Sequence, residues 1–149
     1  MFAVLVVACF AAFGVTQRLK HTPTPVQSFE MNEAFHPTRV PAASCRGKVT
    51  KRLVNATERI EYLSFKLAQA DEVTVEIVTS PGDNYVATIV HDFPAERYKQ
   101  LSLCWNGQRG PAERGGLAPP GEYRLKVRLH NQELTRYSTR SFTLEAPRP

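Results

Sequence analysis

From residue 60 onward the chain is written in short runs where apolar and polar side chains alternate. Tyr123, Leu125, Val127 and Leu129 alternate with Arg124, Lys126, Arg128 and His130, and upstream Leu101, Leu103 and Trp105 alternate in the same way. A period of two belongs to a strand with one buried and one solvated face, so both runs are expected to be strands. Further strand signals fall at 60–67, 73–79 and 85–90, with weaker ones at 48–54 and 141–145. Turn residues punctuate them: Asp71, then Pro81-Gly82-Asp83-Asn84, then Asp92-Phe93-Pro94, which leaves His91-Asp92 at an expected strand end. No amphipathic helix and no internal repeat breaks the pattern. About seven short strands at this spacing predict an all-β fold built as a sandwich.

The first 43 residues follow different rules. Residues 2–15 are apolar without interruption and are closed by Gln17, Arg18 and Lys20. That predicts an N-terminal transmembrane helix or signal anchor over 1–20, a little short of the roughly 20 apolar residues a span needs. No basic stretch precedes it, which points to a start a few residues further upstream. A cleaved signal peptide lacks a clean site of small residues around 11–14. Lipidation at Cys9 fits poorly, because the chain stays apolar through Phe10, Phe13 and Val15. Residues 21–43 carry Pro23, Pro25, Pro37 and Pro41 and are expected to form an extended linker, with Phe29, Met31 and Phe35 packed on the domain that occupies 44–147.

The connection between the two clearest strands carries the most specific residues. Trp105-Asn106-Gly107 ends one strand, Gly115-Gly116 lie in the loop, and Pro119-Pro120-Gly121-Glu122-Tyr123-Arg124 opens the next. Asn106 and Gly107 accept positive φ, while Pro119 and Pro120 set φ near −65° before Gly121 relieves the turn. This set resembles the FlgD-like immunoglobulin-like domain, the module named for the flagellar hook-capping protein and found on many secreted and surface proteins. The resemblance covers roughly the last two-thirds of the chain. It implies an immunoglobulin-like β-sandwich in which Trp105, Asn106, Gly107, Pro119, Gly121 and Tyr123 have structural roles. It implies no flagellar role, because no hook-assembly region is recognisable, and fold alone does not specify function.

Charge and cysteines refine the picture. The formal net charge is +5. Its most ordered part is the row Arg124, Lys126, Arg128 and His130 on one strand face, a candidate binding face for an acidic polymer, with a solvated face as the plainer reading. Aromatics are not interleaved with that row, which argues against nucleic acid. Arg18 and Lys20 would place the domain in the cytoplasm by the positive-inside rule. Against that, Cys45 and Cys104 form an even pair once Cys9 is assigned to the span. A disulfide closing their loop would contribute on the order of 4 kcal/mol and would persist only outside the cytosol. Two unrelated thiols are the alternative, since Cys104 should face away from Leu103 and Trp105.

Catalytic patterns are absent from the sequence. His21, His36, His91 and His130 have no metal-ligand spacing, and the glycines at 107, 110, 115 and 116 lack the strand-to-helix context of a phosphate loop. No cofactor, nucleic acid or small-molecule substrate is expected. The expected role is that of a non-catalytic, membrane-anchored extracytoplasmic module. It would bind another envelope protein or an anionic polymer through the loop at 108–118 or through the basic face; the alternative is a spacer or accessory subunit of a membrane complex.

Overall fold

The computed structural model describes residues 23–37, 46–49, 59–111 and 115–148. Among them are ten strands and no helix: β1 (Val26–Met31), β2 (Ala34–Phe35), β3 (Arg46–Lys48), β4 (Glu61–Leu67), β5 (Asp71–Thr79), β6 (Tyr85–Ala95), β7 (Gln100–Trp105), β8 (Gly121–Leu129), β9 (Leu134–Tyr137) and β10 (Phe142–Leu144). They form two sheets. One has the order β1-β4-β7-β3, and the other β2-β10-β8-β5-β6 with β9 paired to β8. Every pairing between two of these strands is antiparallel except β2 with β10. The fold is all-β and compatible with a β-sandwich.

Alternation explains how the sheets meet. Leu63, Phe65 and Leu67 on β4, Leu101, Leu103 and Trp105 on β7, Val73, Val75 and Ile77 on β5, and Tyr123, Leu125, Val127 and Leu129 on β8 all join one buried cluster. Trp105 ties the sheets together. Its ring lies 5.8 Å from Phe35, 5.6 Å from Tyr123 and 6.0 Å from Phe142, always edge to face, so one side chain of the smaller sheet contacts three strands of the larger. Its indole N–H donates to the Gln108 carbonyl at 2.8 Å, which satisfies the only polar atom it brings into the core.

Several expectations are corrected. There are ten strands among the described residues rather than about seven, because β1, β2 and β9 were not anticipated. The first two fall in the stretch read as a linker. The chain from Val26 to Phe35 runs antiparallel along β4 and then crosses to lie parallel to β10. Phe35 is 1% exposed in the core, and Phe29 and Met31 pack against it, as expected of these three residues. β6 continues through His91-Asp92 to Ala95 instead of ending there. The strand expected at 48–54 meets β3 at Lys48, β3 beginning two residues earlier at Arg46; residues 50–54 lie outside the described residues. So does the span expected over 1–20; among the described residues no helix is long and apolar enough to cross a membrane.

Candidate functional site

The outward face of β8 carries the basic row, and the neighbouring strands decide what each cation meets. Lys126 stands directly opposite Glu76 on β5, and Lys126 Nζ lies 3.2 Å from Glu76 Oε2. Arg124 Nε donates to Asp83 Oδ1 at 2.8 Å, and its guanidinium lies 4.5 Å from the centre of the Tyr137 ring. Arg128 is different. Its neighbours in register are Thr74 on β5 and Thr135 on β9, both neutral, and among the described residues it has no ion pair. The row is therefore mostly neutralised within the sheet, with Arg128 as its exposed remainder.

A bulge builds the corner beside Arg128. Val75 pairs with Val90 and Val73 with Phe93, so His91 and Asp92 together oppose the single residue Thr74. Such an insertion re-aims side chains, and Asp92 takes φ 46°, a conformation Asp tolerates better than most residues. Its backbone N–H donates to Thr74 Oγ1 at 3.3 Å. Both carboxylate oxygens of Asp92 meet imidazoles: Oδ2 lies 3.0 Å from His91 Nδ1, and Oδ1 lies 3.1 Å from His130 Nε2. The same His130 nitrogen lies 2.8 Å from Thr74 Oγ1.

The turn after β8 is held from beneath. Asp71, 4% exposed at the start of β5, accepts the N–H groups of Asn131 at 2.8 Å and Gln132 at 3.2 Å, and the Gln132 side-chain amide at 3.0 Å. His130 N–H donates to the Glu72 carbonyl. These bonds present Arg128, His130, Glu133 and Thr135, over Leu129 and Leu134, around a cleft of about 280 Å³.

Chemically this corner suits binding better than turnover. A nucleophile relay needs a base that contacts the nucleophile through one nitrogen and its orienting carboxylate through the other. Here Thr74 and Asp92 share one nitrogen of His130, and Thr74 is 2% exposed. Among the described residues no group of three or more His, Cys, Asp or Glu could hold a metal ion.

The motif residues do structural work. Asn106 Oδ1 accepts the Gln108 N–H at 3.1 Å, and its amide donates to Gln108 Oε1 at 2.9 Å. Gly107 has φ 86° and sits where a Cβ would lie 3.2 Å from Pro37 Cβ. The Tyr123 hydroxyl donates to the Pro119 carbonyl, closing the entry to β8. Burial raises the Tyr123 pKa, with the Arg109 charge opposing that shift. The loop expected to be free for recognition is tied down on both sides: Gly110 N–H donates to the Val86 carbonyl, and Ala118 N–H to the Gly107 carbonyl. Residues 112–114 lie outside the described residues.

Cys104 is 1% exposed and disulfide-bonded. Its partner and Cys45 lie outside the described residues. Of the expected binding face, Arg124 and Lys126 are engaged by acidic neighbours and Arg128 is brought to the corner. Asp71, Thr74, Asp92 and Glu133 were not anticipated there. A comparison with protein-family models and with curated proteins finds no match.

Proposed function

We propose that this protein is a non-catalytic immunoglobulin-like module, held outside the cytoplasm by an N-terminal membrane anchor, that binds an anionic envelope partner. The observation that carries the binding reading is Arg128, which among the described residues has no ion pair and stands beside His130 in a concave corner, while Arg124 and Lys126 on the same strand are paired. Two features support an immunoglobulin-like reading. The N-terminal segment pairs with β4 in one sheet and β10 in the other, and Tyr123 at the start of β8 bonds back to the backbone four residues upstream, as in a tyrosine corner. They agree with the FlgD-like resemblance. The disulfide at Cys104 supports a location outside a reducing cytosol.

A second reading, a spacer or accessory subunit of a membrane complex, draws support from the pairing of Arg124 and Lys126 within the sheet. Retention on an acidic envelope polymer separates the two. Arg128→Glu should abolish salt-sensitive retention, and Arg124→Gln should leave most of it; retention unchanged in Arg128→Glu favours the spacer. Location is tested independently by a reporter active only outside the cytosol, fused after Pro149. An inactive reporter overturns the extracytoplasmic placement.

A further inference from the structure

We propose that the cleft between β8, β9 and their turn is a subsite for one monoanionic, hydroxyl-bearing ligand, a sugar acid, with its carboxylate on Arg128. The inference deepens the binding reading above and rests on it. Arg128 offers a guanidinium fork, whose geometry matches a carboxylate in two parallel bonds. Register places Thr74 and Thr135 on either side of it. The Thr74 hydroxyl is already committed to His130 and Asp92, so Thr135 is the hydroxyl that remains for a ligand.

Glu133 selects within the anions. It lines the same cleft as Arg128 and His130, so the site holds a carboxylate as well as the Arg128 guanidinium. A phosphate dianion would meet that like charge, whereas the hydroxyls of a sugar ring donate to it. Drug-sized ligands occupy pockets of about 300–1,000 Å³, so a cleft of about 280 Å³ takes a single small unit rather than an extended chain. Asp71 fixes the turn through three hydrogen bonds before any ligand arrives, which lowers the ordering cost of binding.

The test is saturation-transfer NMR on the full chain in detergent, with glucuronate as probe and glucose and inorganic phosphate as comparisons. Glucuronate should receive saturation, and glucose and phosphate should compete poorly. Arg128→Gln should weaken binding at least ten-fold, Arg124→Gln should not, and Glu133→Gln should improve competition by phosphate. The thermal midpoint of each variant reports on folding. No saturation of glucuronate, equal binding by Arg128→Gln, or phosphate competing as well as glucuronate with wild-type protein each overturns the proposal. Polymer retention lost in Arg128→Glu without glucuronate binding overturns the sugar-acid subsite and leaves the anion-binding module standing. A glucuronate oligomer binding far more tightly than the monomer identifies the source as a polymer; equal affinities identify a free sugar acid.

Discussion

Glu61 is the residue most out of place. It begins β4 on the same face as Leu63, Phe65 and Leu67, is 0% exposed, and accepts the Asn32 N–H at 2.8 Å through Oε1, while Oε2 has no partner among the described residues. Burial, only partly opposed by the Asn32 bond, raises its pKa from 4.5 to about 9. The folded protein therefore holds a proton there that the unfolded chain releases near pH 4.5. The contribution of this proton to stability is fully present below that pH and is lost progressively as pH rises toward 9. By pH 7 the loss is on the order of 3 kcal/mol. Glu61→Gln keeps an acceptor for Asn32 and cannot ionise. Its urea-unfolding free energy should exceed that of wild type at pH 8 and approach it near pH 4.5. A wild-type stability as high at pH 8 as at pH 5, with no gain in the variant, would mean that the carboxyl is not held neutral. The strand signal at 60–67 did not single out this carboxyl, and the Asn32 N–H that it accepts arrives from a segment read as linker.

Elements that escaped the sequence reading share physical causes. β1 carries a bulge between Gln27 and Glu30, with Ser28 at φ 54°, which shifts the phase so that Val26 and Phe29 fall three apart. A period of two cannot survive that. The second half of β6 is hidden by its own bulge and by Pro94, a residue that suits this position only because β6 is an edge strand. β9 is mostly solvated and so has no apolar phase to read. Where alternation is unbroken, as in β7 and β8, the strands lie where expected. The corner of the candidate site was invisible for the same reason: Asp92 reaches His130 only through the bulge, and Asp71 reaches the turn from 60 residues away. Asp71→Asn tests how much the turn depends on that carboxylate. Asn131 bonds to one carboxylate oxygen and Gln132 to the other, and Asn keeps only one oxygen, so one of the two N–H groups loses its acceptor and the other bond loses its charge; global stability should fall by about 1–3 kcal/mol. Hydrogen exchange should rise selectively at residues 131–132. Uniform acceleration across β5 and β8 would instead make Asp71 a general core residue with no special hold on the turn.

At the scale of the molecule, the two sheets are joined through β7. Trp105 reaches the larger sheet from one face, and alternation turns Cys104 to the other, opposite Gly47 on β3 and Tyr62 on β4. The bond at Cys104 therefore braces the outer side of the strand whose inner side anchors the core. Cys104 thus faces away from the core the two sheets share, whereas the bonded cysteines of antibody domains face it. Cross-links of this kind typically contribute about 2–4 kcal/mol, chiefly by restricting the unfolded chain. Reductant should lower the thermal midpoint of the wild-type protein by on the order of 10 °C. Cys104→Ser should melt at the reduced value and ignore reductant. Cys45→Ser should match Cys104→Ser if Cys45 is the partner, whereas Cys9→Ser should then behave as wild type. If reduced and oxidised proteins melt together, the bond does not stabilise the fold. The placement outside the cytosol would then have to stand on the reporter fusion alone.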